Sequence, residues 1–254
     1  MNDGDAILTT FERVAVAVRT AVAAIPSDQR RGRTSVPGQY ALDLVADAIA
    51  VPMLHADGFR VLSEESGISG DDDAAITVVL DPVDGSTNCA RGLSYWAISL
   101  CAIDAHGALC AMVVNQATGV VHRAVRGDGA FRDGERLAAS PTQQLSEAVI
   151  ALAGWPHRRI AAKQFRVLGC AALALCDLAA GGLDGYVDTG RWHAPWDYLG
   201  GVLICRESGA IVDDLEGEPL VIVDADARRQ LVGGATSELH AALRTEVLDG
   251  MAAS

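Results

Sequence analysis

The sequence predicts a mixed α and β protein in two halves, an α+β half over about residues 1–138 and an α/β half over about 139–254. Three observations predict it. From Tyr95 to Val125 apolar, β-branched runs follow one another across turns as short as Ala105-His106-Gly107, which implies antiparallel pairing. After Ala139-Ser140-Pro141, strand-length and helix-length apolar segments alternate, as in a sheet with helices on its faces. No internal repeat or low-complexity linker separates the halves, so the 254 residues, half of them hydrophobic, are expected to pack as one unit with a substantial core.

Taken in order, Thr9 to Ile25 reads as an amphipathic helix, with Thr9 and Glu12 in capping-box spacing and Pro26 beyond its end. Gln29 to Gly38 is a basic loop punctuated by Gly and Pro, read as solvated surface. Tyr40 to His55 is a second helix carrying Asp43 and Asp47 on one face, where like charges four residues apart call for a partner. Phe59 to Ser63 is a short strand ending at Glu64-Glu65, and Asp71 to Asp73 belong to a solvated acidic loop. Strands follow at Ile76–Leu80, Tyr95–Ile103, Ala108–Gln116 and Gly119–Val125, with hairpin turns at Gly127-Asp128-Gly129 and Asp133-Gly134. The second half gives a strand at Ala148–Ala153, a helix at Gly169–Ala180 closed by Gly181-Gly182, a strand at Leu183–Val187 and a helix at Pro195–Ser208. Ala210 to Leu220 reads as a hairpin around Glu216-Gly217, and Leu231–Ala235 and Ser237–Leu248 as a last strand and helix.

Charge and composition narrow the function. A formal charge of −13 argues against a nucleic-acid partner. No apolar run reaches the roughly 18 residues needed to span a bilayer, and the acidic start Met1-Asn2-Asp3-Gly4-Asp5 lacks a signal-peptide character, so a cytoplasmic location is expected. The six cysteines form no C-x-x-C pair and read as reduced, buried hydrophobes. An acidic surface also repels phosphorylated metabolites, so an acidic site must be reversed in sign by bound cations before such a substrate enters.

The strand Ile76–Leu80 runs directly into Asp81-Pro82-Val83-Asp84-Gly85-Ser86-Thr87-Asn88. Asp, Pro and Gly are ordinary turn residues, so a plain polar turn is one reading. The other follows from cost: two aspartates delivered by a buried strand need a cation between them, and a hard divalent metal with oxygen ligands fits. Pro82 stiffens the turn and leaves the Val83 carbonyl free for the same cation, while Gly85-Ser86-Thr87 offers N–H groups and hydroxyls suited to a phosphate. Glu64 also follows a strand directly. Trp196-Asp197 opens a helix, where Asp197 could equally be a cap or a ligand.

Glu64-Glu65, Asp81-Pro82-Val83-Asp84-Gly85-Ser86-Thr87-Asn88, then Trp196-Asp197 with Glu207-Ser208-Gly209 downstream resemble, in order and over most of the chain, the inositol monophosphatase family of metal-dependent phosphatases. The resemblance implies the layered α-β-α-β-α sandwich shared with fructose-1,6-bisphosphatase, a homodimer, inhibition by lithium, and two or three Mg²⁺ ions per site with Mn²⁺ as a substitute. It implies metal ligation by Glu64, Asp81, the Val83 carbonyl, Asp84 and Asp197, and in-line attack of an activated water on a phosphomonoester. Ser86, polarised by Asp43 (or Asp47 as a fallback) and aided by Glu64, would orient or deprotonate the water, and the N–H groups of Gly85 and Ser86 would hold the phosphate. Gly169-Cys170-Ala171 and Asp188 would lie near the substrate's hydroxyls.

This chain departs from the family pattern in four places. Ser86 stands where threonine is commoner, Asp188 where inositol-cleaving members carry glutamate, a small insertion surrounds Arg191-Trp192-His193, and the Arg30–Arg33 loop lacks the family's lysine. Inositol 1-phosphate is the expected substrate, with fructose 1,6-bisphosphate, histidinol phosphate and 3′-phosphoadenosine nucleotides as sibling alternatives and a non-catalytic metal and phosphometabolite binder as another class. The aspartyl-phosphate phosphatases need Asp-x-Asp at a strand end, and the spacing here is Asp-x-x-Asp.

Overall fold

A computed structural model describes residues 3–156 and 158–252. The first half comprises helices α1 (Asp3–Ala24) and α2 (Ala41–Ala56), strands β1 (Arg60–Ser63), β2 (Gly67–Ser69) and β3 (Thr77–Asp84), the short helix α3 (Ser86–Arg91), and strands β4 (Ala97–Asp104), β5 (Gly107–Asn115), β6 (Val121–Val125), β7 (Gly129–Arg132) and β8 (Glu135–Arg136). The second half adds β9 (Val149–Ala153), β10 (Gln164–Arg166), α4 (Ala171–Ala179), β11 (Gly185–Asp188), α5 (Pro195–Ser208), β12 (Ile211–Asp214), β13 (Leu231–Gly234) and α6 (Ser237–Ala252).

The first half forms an eight-stranded sheet in the order β2-β1-β3-β4-β5-β6-β7-β8, antiparallel except for the β1–β3 pair. The second forms a five-stranded sheet, β10-β9-β11-β13-β12. Side chains alternate across β3: Val78 and Leu80 join the core under α1 and α2, while Val79 joins the core shared with α4 and α5. Both faces are covered, which is why β3, β4 and β5 read as continuous apolar runs. Helix α6 covers the outer face of the second sheet through Leu239, Leu243 and Val247. The layers are therefore α1/α2, sheet, α4/α5, sheet, α6, the expected α-β-α-β-α sandwich.

Two expectations are corrected. Helix α1 starts at Asp3, because the buried stripe begins at Ile7 and Leu8 and continues through Phe11, Val14 and Val18. Thr9 is therefore inside the helix, its hydroxyl donating to the Asp5 carbonyl four residues back rather than capping. Residues 210–220 are not a hairpin: β12 pairs with β13, and Asp214 turns the chain by accepting hydrogen bonds from the N–H groups of Glu216, Glu218 and Gln230. The edge strands β2 and β10, in stretches to which the sequence assigns no element, are each three residues long and only partly buried.

Helix α5 lies closest to its neighbours at a glycine pair. A Cβ on Gly200 would stand 2.8 Å from Ser99 Oγ, and one on Gly201 would stand 2.6 Å from Leu175 Cβ in α4. Leu175 Cβ is fixed to its backbone and cannot rotate away. Gly201→Ala is thus expected to destabilise by about 1–2 kcal/mol, overpacking outweighing the gain in helix propensity of up to about 1 kcal/mol. The midpoint of urea unfolding checks this, and a rise would contradict it.

Candidate active site

The parallel β1–β3 pair sets the site. Its register places Ser63 opposite Leu80, and the Glu64 N–H donates to the Leu80 carbonyl, so Glu64 and Asp81 emerge side by side where the two strands end. Their carboxyls lie within hydrogen-bonding reach of each other. Beyond Asp81 the β3–β4 pairing slips, from Asp81 opposite Ser99 to Asp84 opposite Ala97. Such a bulge re-aims side chains next to a site. Here the Val83 N–H bonds back to Asp81 Oδ1 at 2.9 Å, and Pro82 has no N–H to satisfy.

Two helix N-termini bring the remaining acids in. Asp84 Oδ2 accepts from the Ala172 N–H (2.6 Å) and the Cys170 thiol (3.1 Å) at the start of α4. Asp197, at the third position of α5, accepts from the Ala194 N–H at 2.7 Å through Oδ2. Partial positive charge at helix N-termini favours carboxylates there. Asp81, Asp84 and Asp197 thus each have one oxygen fixed by a backbone N–H, which leaves the other for a ligand.

The electrostatics are those of uncompensated negative charge. Asp84 is pushed up to about 6, chiefly by burial and partly offset by the Ala172 and Cys170 donors. Asp197 is pushed up to about 7 by burial and then by the charge of Asp84. Asp81 is raised well above the carboxylate range by burial and by Glu64, Asp84 and Asp197. Glu64 is pushed up to about 8 by desolvation, then by Asp197 and Glu65; its side chain is open to solvent at the mouth, where water weakens these effects. Among the described residues none of the four forms an ion pair. Nor, among the described residues, are three acidic, histidine or cysteine side chains drawn into a closed ligand set. Oxygen donors without a cationic side chain fit a hard divalent ion.

The expected Asp43–Ser86 partnership is present as proximity. Asp43 is buried at the start of α2; its Oδ2 accepts the Tyr40 N–H at 2.8 Å, and its Oδ1 has no hydrogen-bond partner. Its carboxyl is raised by burial, against the opposing influence of Tyr40, Ser86 and Arg33. The Ser86 hydroxyl itself donates to the Val83 carbonyl at 2.8 Å. Asp47 sits behind this layer, accepting from the hydroxyls of Ser63 and Ser66 and so fixing the turn that carries Glu64. Both aspartates of α2 are thereby accounted for, in different roles.

Gly85 joins the two halves. Its φ of +86° favours glycine, and a Cβ there would stand 3.1 Å from the carbonyl oxygens of both Gly169 and Tyr95. Asn88, which the sequence left without a role, donates through Nδ2 to the carbonyls of Tyr95 and Leu168, each at 2.8 Å. The Leu168 bond spans 80 positions of chain, and short-range sequence patterns carry no trace of it.

A cleft of about 430 Å³ opens beside the acids, lined by Asp84, Gly169, Cys170, Ala171, Tyr186, His193 and Asp197 among others. Gly169, Cys170 and Ala171 line this cleft. Asp188 does not: it is fully buried, accepts from the N–H groups of Gly190 and Trp192, and is absent from the lining. Its carboxylate is taken up by these two N–H groups of the loop that follows it. The polar side chains that face the cleft in its stead, Tyr186 and His193, are hydrogen bonded to each other.

A model of the inositol monophosphatase family matches residues 41–250. The Archaeoglobus fulgidus protein named fructose-1,6-bisphosphatase/inositol-1-monophosphatase is 33% identical over 252 residues, 94% of this chain and 97% of that one. The Vibrio cholerae protein named Nus factor SuhB is 33% identical over 193 residues, covering 69% and 71%. Among solved structures, a Pyrococcus horikoshii protein described as having similarities to inositol-1 monophosphatase superposes with a TM-score of 0.83 at 25% identity, covering 94% of this chain and 98% of that one. The match spans both sheets and every acid of the cleft, and the chain belongs to the inositol monophosphatase family of phosphatases.

Proposed function

We propose that this cleft hydrolyses a phosphomonoester of a small alcohol with the help of Mg²⁺, held by Glu64, Asp81, the Val83 carbonyl, Asp84 and Asp197. One observation carries the reading: the carboxyls of Glu64, Asp81, Asp84 and Asp197 feel one another's charge, three of them are fixed through one oxygen, and none has an ion-pair partner among the described residues. When bound, divalent ions supply activation of water and stabilisation of the leaving alkoxide. The protein's own part is positioning. Glu64, which is exposed, is placed to accept a proton from water when its own carboxyl is ionised. Rotation of the Ser86 hydroxyl from the Val83 carbonyl to the unpartnered Asp43 Oδ1 would leave Ser86 Oγ as an acceptor that orients the same water. The N–H groups of Gly85 and Ser86 are offered to the phosphate.

A metal and phosphometabolite binder without turnover would be expected to lack one of these groups, and this chain has them all. Inositol 1-phosphate is the polyol ester we favour, and the relatives named for fructose 1,6-bisphosphatase activity support fructose 1,6-bisphosphate as the second candidate. Among the described residues no helix is long and apolar enough to cross a membrane.

Phosphate release from inositol 1-phosphate, fructose 1,6-bisphosphate, histidinol phosphate and 3′-phosphoadenosine 5′-phosphate, with and without Mg²⁺, tests the reading; release from none of them with Mg²⁺ bound would favour the binder. Asp81→Asn and Asp84→Asn are each expected to lower kcat by about 100-fold or more while the melting temperature of the metal-free protein holds or rises, since each removes a desolvated charge. A variant keeping most of its Mg²⁺-dependent turnover would contradict the ligand assignment. Asp43→Ala is expected to lower kcat by about 10²-fold with little change in Mg²⁺ affinity, measured by calorimetry.

The raised carboxyls also set a pH dependence. The folded state holds these protons more tightly than the unfolded chain does. The stability this contributes is complete below about pH 4 and is lost as pH rises through about 6 to 8. With chelator present, the melting temperature is expected to fall from about pH 5 to about pH 8. Saturating Mg²⁺ should raise it more at the higher pH, where the ion competes with fewer protons. Equal Mg²⁺ effects at both would count against the cluster as the metal site.

A further inference from the structure

The segment between Asp188 and Asp197 is built with unusual firmness for a surface connection. The Asp188 carboxylate accepts from the N–H groups of Gly190 (3.1 Å) and Trp192 (3.0 Å), folding the chain back over it. Arg191, between them, has a φ of +53°, a strained conformation for a non-glycine residue, and is held by an ion pair to Glu216 and by its Nε donating to the Arg228 carbonyl. His193 is bridged to Arg229 through backbone hydrogen bonds in both directions. What this frame aims is Trp192. Its indole lies against Gly190, where a Cβ would come within 2.4 Å of Nε1, and yet the side chain is 65% exposed at the rim of the cleft. Its indole face is thereby held at the rim of the cleft, open to whatever the cleft binds.

The cleft below it is mostly apolar. Its walls come from Leu152, Val167, Leu168, Ala171 and Ala174, and Asp84 and Asp197 belong to the phosphate end. Of the other polar side chains, the Cys170 thiol already donates to Asp84. The Tyr186 hydroxyl and His193 Nε2 share one proton between them, and His193 Nδ1 faces Asp188 at 3.7 Å. The pair offers the cleft one outward hydrogen-bonding position. A polyol would leave several hydroxyls desolvated and unpaired against these walls, each costing about 1–3 kcal/mol. A flat ring would bury both faces and need one polar contact.

We propose that Trp192, with His193 and Tyr186, reads the alcohol, and that the cleft selects phosphomonoesters whose alcohol carries an aromatic or heteroaromatic ring over polyol phosphates. The ring stacks on the Trp192 indole and a ring heteroatom meets the Tyr186–His193 pair, while the phosphate is held at the acids. The volume of about 430 Å³ suits a ring-bearing alcohol up to the size of a nucleoside. This inference rests on the phosphomonoesterase reading above and adds the class of leaving group to it.

The test is steady-state kinetics with Mg²⁺ on benzyl phosphate, adenosine 2′-phosphate, inositol 1-phosphate and glycerol 2-phosphate, four esters that all leave as alkoxides. The expected kcat/KM for the two ring-bearing esters exceeds that for inositol 1-phosphate by about tenfold or more. In Trp192→Ala the ratio of kcat/KM between benzyl phosphate and glycerol 2-phosphate falls about tenfold, mainly through KM, and in Trp192→Phe most of it returns. A preference for inositol 1-phosphate, or a Trp192→Ala variant that lowers all four esters by the same factor, overturns the assignment while leaving the phosphatase reading standing. Hydrolysis of none of the four overturns the phosphatase reading itself.

Discussion

Repulsion among the carboxylates of Glu64, Asp81, Asp84 and Asp197 is the constraint on which the rest of the structure turns. They come from the ends of two adjacent strands and the starts of two helices, so their crowding ties both sheets to one point. Folding alone would keep such charges apart. The fold brings them together by giving three of them a backbone N–H each and by placing two at helix N-termini, which offsets part of the desolvation cost without neutralising the charge. What remains is a site that gains most from a hard divalent ion.

The layers follow from the same requirement. Helices α4 and α5 lie between the sheets and point their N-termini at the cleft, and their close approach depends on Gly200 and Gly201. Gly85 and Asn88 then fasten the strand-end turn of the first half to the Gly169-Cys170 turn of the second. The acids therefore sit at the ends of well-buried elements, while Trp192 and His193, which line the cleft, are carried by the loop between β11 and α5. Asp188 is held inward by the N–H groups of Gly190 and Trp192 in that loop, and Tyr186 and His193 stand in the cleft wall.

Much of this was legible in the sequence. Helix α5 was bounded correctly by Pro195 at its first turn and Gly209 past its end, and the strands of the large sheet by continuous apolar runs. The acids were legible because a charged residue directly after a buried strand is costly enough to demand a reason. What escaped was decided by distant partners or by weak local signals. The edge strands β2 and β10 are short and half-exposed, the pairing of β12 with β13 bridges a long connection, and the turn of Asp188 toward its own loop depends on backbone donors that no residue pattern announces. Thr9 misled because capping-box spacing also occurs inside a helix, where a threonine hydroxyl bonds back to the preceding turn.

The central claim, that the crowded carboxylates form one metal site, is tested most directly by calorimetric titration of the metal-free protein with Mg²⁺ at about pH 6.5 in two buffers of different ionisation enthalpy. Carboxyls raised into this range must give up protons as the ion binds, so the account predicts saturable binding with roughly half a proton or more released per protein. Binding that releases no proton, or no binding at millimolar Mg²⁺, would contradict it.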